Sequence, residues 1–252
     1  MSEQPPVWPE AESWSAPGGP DGVLVVHGFT GSPQGLRGLA EAIAAAGFAV
    51  ELPRLPGHGT TVEDLATRTW DDWSAAAEAA YVDLAGRGRR VVVAGLSMGG
   101  TLACWLAVHH PEIAGLVLVN PAVEPPADSF REMLEGALAG GVTSMPGIGC
   151  DIADPDGKEL TNEATPIAPL ASLMAAVVEL APRLAEIRCP VLLFTSTQDH
   201  VVPTSSSDLL ASSVSGPVER VRLERSYHVA TLDYERGEIE TRSVDFAGKV
   251  TA

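Results

Sequence analysis

Residues 90–101 read RVVVAGLSMGGT, a β-branched run that ends in Gly95-Leu96-Ser97-Met98-Gly99 and passes directly into an alanine- and leucine-rich stretch. Such a run predicts a buried strand, and the stretch at 98–109 predicts a helix. A chain that reverses from strand to helix within about two residues crowds the backbone around the central residue, so side chains at both flanking positions would clash. Glycines at 95 and 99 remove that clash and put the Ser97 hydroxyl on a sharp turn. The same glycines would also serve a strand end that merely lets a helix pack closely, so the rest of the chain must decide.

Working outward, short β-branched runs alternate with alanine-rich helical stretches. Strands are expected at 23–27, 49–52, 90–94, 114–119, 190–196 and 218–223. Helices are expected at 33–46, 70–85, 98–109, 205–213 and 239–250. Nearly continuous apolar strands that take turns with helices predict a mostly parallel sheet covered on both faces, an α/β fold. One stretch breaks the rhythm: residues 122–182 show no strand pattern, while Phe130, Met133, Leu134 and Met145 are scattered through them. The expectation is a single domain, 1–252, with a lid inserted at about 122–182; an ordinary helical layer is the plainer alternative.

A serine hydroxyl becomes a nucleophile only beside a base, and the base needs an acceptor on its far side to fix its tautomer. Groups on loops beyond the carboxyl ends of parallel strands converge on one edge of the sheet. Asp199 follows the 190–196 strand by three residues and His228 follows the 218–223 strand by five, so both belong to the edge that carries Ser97. The order serine, acid, histidine matches one hydrolase architecture and differs from two protease orders. Attack on a carbonyl creates an oxyanion that backbone N–H groups must stabilise. Met98, at the start of the elbow helix, and Phe29, in the turn after the first strand, are the expected donors.

The other histidines fit this role less well. His58 lies in PGHG (56–59) and is expected to pin its own loop; His109 and His110 sit at a helix end, and His200 would point away from its neighbour Asp199. Asp151, Asp154 and Asp156 superficially resemble a calcium loop, but Asn162 stands where the bidentate glutamate belongs. No zinc-type spacing, phosphate-binding loop or dinucleotide fingerprint occurs, and no cofactor or metal is implied.

Composition sets bounds on partners. With 252 residues and 45% hydrophobic content, the chain can bury a sizeable core. A formal charge of −17 and a pI near 4.6 repel nucleic acid and anionic membrane surfaces at long range. Residues 1–12 lack the basic and apolar regions of a secretory signal, and no run approaches the roughly 18 apolar residues of a spanning helix, so a cytoplasmic protein is expected. Three cysteines, Cys104, Cys150 and Cys189, form no CxxC pair and are read as small buried hydrophobes.

With those residues identified, the chain resembles the α/β-hydrolases, and within them the small bacterial monoacylglycerol lipases and carboxylesterases of bacilli. The resemblance rests on HGFTG (27–31), PRLPGHGT (53–60), GLSMGGT (95–101), DPDGKEL (154–160), residues 189–194 with DHVVP (199–203), and SYHVATLDY (226–234). It implies Ser97, Asp199 and His228 as triad and Phe29 and Met98 as oxyanion donors. It also implies a small-molecule lipid ester as substrate and Glu159 as the lid residue that contacts a glycerol head. Glu159 would otherwise be an exposed, salt-bridging or capping carboxylate. Residues 128–147 depart from the family pattern. Ile148, Leu170 and Met174 would suit an acyl-chain channel or equally the core of the lid. Monoacylglycerol hydrolysis is the leading expectation, with short-ester hydrolysis next and a non-catalytic ligand receptor a remote third. Transient contact of the lid with a lipid interface is compatible with the first, and oligomeric state is open.

Overall fold

The computed structural model describes residues 5–147 and 149–252. Its frame is a seven-stranded sheet whose inner strands are almost wholly apolar. In chain order the elements are β1 (Trp14–Ala16), β2 (Gly22–Val26), α1 (Arg37–Ala45), β3 (Ala49–Leu52), α2 (Val62–Leu65), α3 (Trp70–Gly86), β4 (Val91–Leu96) and α4 (Met98–His109). There follow β5 (Gly115–Val119), α5 (Asp128–Ala139), β6 (Ser144–Pro146), β7 (Ala164–Pro166), α6 (Ile167–Leu180), β8 (Val191–Ser196), α7 (Thr204–Ser213), β9 (Val218–Leu223) and α8 (Arg236–Thr251). The spatial order is β1-β3-β2-β4-β5-β8-β9. All neighbours are parallel except β1, which pairs antiparallel with β3 through Trp14 and Leu52.

Every residue of β2, β4, β5 and β8 is buried. Because successive side chains point to opposite faces, each strand feeds two cores. Leu24, Val93, Leu116 and Leu193 pack on one face with Trp73 and Leu84 of α3 and Leu102 of α4. Val25, Val92, Val117 and Phe194 pack on the other with Ile43 of α1 and Ile239 of α8. Burial on both faces explains why these strands lack polar alternation.

The inserted region differs from its expectation in one respect. Between β5 and β8 lie α5, the two-stranded antiparallel pair of β6 and β7, and α6. Three-residue strands are too short to carry a period, which is why 122–182 read as strandless. The same limit hid β1 and the one-turn helix α2. The helical segment Ile167–Glu186 is long and apolar enough to cross a membrane by length and composition, unlike the expectation that no run approached that size. In this fold Ile167, Leu170, Leu173, Val177 and Leu180 turn inward.

Chain order reverses between β2, which has β3 on one side and β4 on the other. The loops that leave the carboxyl ends of β2 and β4 therefore meet, since Val26 lies opposite Gly95. At the elbow, α4 runs so close to β2 that a Cβ on Gly99 would lie 2.0 Å from the Val26 carbonyl oxygen. A methyl group there must displace backbone, so Gly99→Ala is expected to lower unfolding free energy by about 3 kcal/mol or more, the upper end of overpacking penalties. Gly86→Ala, where a Cβ meets nothing within 4 Å, should be neutral or stabilising. Urea unfolding of the two variants checks both.

Candidate active site

Ser97 sits at φ 54° and ψ −117°, a left-handed conformation unusual for a side-chain-bearing residue. Its backbone is tied down nonetheless: the N–H donates to Val119 O (3.0 Å), and its carbonyl accepts from Thr101 N (3.1 Å) and Ala122 N (3.3 Å). Ser97 lines two cavities, which also share Phe29 and Val201 in their walls.

Asp199 and His228 come from loops after β8 and β9 and meet at 2.7 Å between Asp199 Oδ2 and His228 Nδ1, with both side chains almost fully buried. The other oxygen, Oδ1, accepts the N–H groups of Val201 and Val202 at 2.8 Å each. The carboxylate is thus held from both sides, and among the described residues His228 Nε2 has no hydrogen-bond partner. His228 lines the smaller cavity together with Ser97. Among the described residues no hydrogen bond joins the Ser97 hydroxyl to His228; such contacts often tighten only when substrate is bound.

Phe29 lines both cavities, and Met98 is buried as the first residue of α4. Among the described residues neither backbone N–H has a protein acceptor. Gly28 lies beside the serine: a Cβ there would stand 3.6 Å from Ser97 Cβ, an ordinary van der Waals contact. His27 is buried with Nδ1 against Gly28 O (2.9 Å) and Nε2 accepting from Leu55 N (3.1 Å). Burial is the main reason its pKa falls to about 4, so the ring stays neutral and acts as a strut. His58, also held well below its usual pKa mainly by burial, has Nδ1 at 3.2 Å from Pro56 O and packs edge-on to Phe29 and Trp73. His200 Nδ1 faces Asp151 at 2.8 Å rather than the serine.

The larger cavity, about 700 Å³, is walled by Phe130, Met145, Leu170, Leu173 and Met174 from the inserted region and by Val202. The smaller one, about 40 Å³, is lined by Thr30, Ser97, Glu159 and His228. The structure thus places Leu170 and Met174 on one side of Ser97 and Glu159 on the other. Ile148 lies outside the described residues. Glu159 is partly buried and, among the described residues, makes no salt bridge; it lines the smaller cavity, and its Oε1 lies 2.7 Å from where a Cβ on Gly31 would stand. Burial pushes its carboxyl up to about 7, only partly offset by attraction to His228.

Two residues outside the motifs also shape the site. Asn120, at the end of β5 with φ 45°, donates to Ser196 Oγ (3.0 Å) and to the His228 carbonyl (2.8 Å) and accepts from Ser196 N (2.8 Å). Asp151 accepts the His228 N–H at 3.0 Å. The Asn-Pro pair at 120–121 is a turn signal that could have pointed to the first; the second leaves no local signal.

A nucleophile elbow, a buried acid–histidine pair and two unpaired N–H groups at one sheet edge are the features of a serine hydrolase. The Alpha/beta hydrolase family profile matches residues 23–239, and the chain belongs to that family. It is 47% identical over 252 residues to a thermostable monoacylglycerol lipase of Bacillus sp. (strain H-257), covering 99% of both chains. It is 28% identical over 238 residues to a carboxylesterase of Bacillus subtilis (strain 168), covering 92% of this chain and 94% of that one. Among solved structures, one from work on the metagenome-derived lipolytic enzymes LipS and LipT superposes with a TM-score of 0.90 at 40% identity, covering 97% of this chain and all of that one.

The position of Glu159 gives a stability prediction. A carboxyl whose folded pKa is raised from 4.5 to about 7 binds its proton more tightly in the folded than in the unfolded state. Stability from this group is therefore complete below pH 4.5 and declines as pH rises through 7. Glu159→Gln removes that decline, so the variant should gain on the order of 2 kcal/mol relative to wild type between pH 5 and pH 8. Urea titrations at the two pH values measure it.

Proposed function

We propose that the protein hydrolyses monoacylglycerols to glycerol and a fatty acid through an acyl-enzyme. The observation that carries this reading is the pair of unequal cavities meeting at Ser97. One is roomy and walled by apolar side chains. The other, at about 40 Å³, holds roughly three waters on a scale where one water needs about 10–15 Å³, and it presents a carboxylate and a threonine. An ester with one long acyl chain and a small polyol fits that division. A second acyl chain on the alcohol side has no room.

The Ser97 hydroxyl attacks the ester carbonyl as His228 Nε2 takes its proton. Asp199 holds Nδ1 and stabilises the imidazolium. The N–H groups of Phe29 and Met98 receive the oxyanion, with the N-terminal dipole of α4 adding partial positive charge at Met98. Collapse breaks the C–O bond, and His228 returns the proton to the departing glycerol oxygen. A water, deprotonated by the same imidazole, then releases the fatty acid and restores the serine. Leu170 and Met174 line the acyl path, and Glu159 accepts hydrogen bonds from the glycerol hydroxyls. Residues 122–182 act as the lid over that path, within a single domain and without metal or organic cofactor. The relationship to the thermostable monoacylglycerol lipase supports this substrate.

Hydrolysis of short, non-glyceride esters with the same triad is the second reading, favoured by the similarity to the carboxylesterase. Ser97→Ala should fold normally and lose ester turnover by on the order of a millionfold. Wild type should turn over long-chain monoacylglycerols well ahead of di- and triacylglycerols and of short acyl esters. A preference for short non-glyceride esters selects the second reading, and undiminished turnover by Ser97→Ala removes both.

A further inference from the structure

The catalytic histidine's loop is fastened to the inserted region through two carboxylates that the mechanism above does not use. Asp151 lies between β6 and β7. Its Oδ2 accepts the backbone N–H of His228 (3.0 Å) and of His200 (3.2 Å), its Oδ1 faces His200 Nδ1 at 2.8 Å, and its own carbonyl accepts Val229 N–H (3.0 Å). Asp233 returns the bond from the other side, accepting Ala153 N (2.8 Å), Asp154 N (3.0 Å) and Tyr227 N (2.9 Å). Both residues flanking the active imidazole in sequence, Tyr227 and Val229, are therefore bonded into the same lattice as His228 itself. The bonds from His200 and His228 outweigh a burial effect that would raise the Asp151 carboxyl, and they hold it below its ordinary range, ionised throughout the neutral region.

We infer that Asp151 is a positioning residue for the reaction: it fixes the backbone of His228 so that one ring can serve Asp199 and Ser97 together, and it ties that ring to the segment that roofs the acyl cavity. The inference rests on the ester-hydrolase reading for its kinetic arm only. Asp199 already uses Oδ2 on the ring, so the ring's aim depends on where the backbone of residue 228 is held. A slip there lengthens the path to Ser97; Asp151 and His200 also border the larger cavity, so a short acetyl ester, which leaves that cavity largely empty, isolates the effect on kcat.

Three proteins test this. Asp151→Ala removes every acceptor, and kcat for a water-soluble chromogenic acetyl ester should fall by about tenfold or more, the effect of one lost charge-assisted hydrogen bond, while KM stays within about threefold. Asp151→Asn keeps an uncharged acceptor and should fall by only about threefold. The low-field proton resonance of the Asp199–His228 hydrogen bond, recorded in a Ser97→Ala background, should be sharp with Asp151, broadened with Asn and lost with Ala. A raised KM with kcat intact, or a sharp resonance in Asp151→Ala, overturns the inference. Should the alanine variant fail to fold, wild-type kcat and line width in Asp151→Asn overturn it equally. The resonance needs no turnover, so absence of esterase activity in wild type would count against the proposed function and leave this test standing.

Discussion

The backbone at Ser97 is the constraint on which the site depends. A left-handed residue with a side chain costs about 1–3 kcal/mol and persists only where its surroundings over-determine it. Here β5 supplies the acceptor for its N–H and the chain just beyond β5 supplies a donor to its carbonyl. On the other flank, α4 can lie against β2 only because Gly99 has no side chain. The sheet order that sets β4 between β2 and β5 is thus a condition for the exposed hydroxyl, as well as for the core. The same order delivers Phe29 and Ser97 side by side from adjacent strands.

Asp199 and His228 are held by a different device. Asp199 anchors to its own loop through two backbone N–H groups, whereas the histidine loop is pinned by side chains from two distant parts of the chain, Asn120 and Asp151, and by Asp233 six residues beyond Tyr227. Small side chains with several acceptor positions suit this work, because each can satisfy more than one buried donor in a loop that has no ladder of its own. Glu235 does the same a few residues on, accepting the N–H groups of Glu224, Arg225 and Ser226.

Much of this was legible in sequence, for reasons of range. Strands buried on both faces announce themselves as apolar runs, and their carboxyl ends mark where reactive groups converge, so the neighbourhoods of Ser97, Asp199 and His228 followed from spacing along the chain. Three-residue strands such as β1, β6 and β7 carry no period and left no trace. Asp151 bonds to partners 49 and 77 residues away, so nothing in its local sequence marks it out. Glu159 read as a surface carboxylate unless the family pattern intervened, because its burial is created by the β2 loop at Gly31, far off in the chain. The apolar segment Ile167–Glu186 shows the converse: its composition admits a lipid setting, and tertiary packing alone turns its apolar stripe inward.

The free side of β9 closes the sheet in an instructive way. Glu219, Arg220 and Arg222 are exposed along it, and Arg220 and Arg242 pair there with Asp208 and Glu219. Joining another molecule's strand to that margin would mean stripping water from a row of ions of both signs, and unpaired main-chain groups alone do not repay such dehydration. The fold thereby resists ribbon-like self-association along this parallel border.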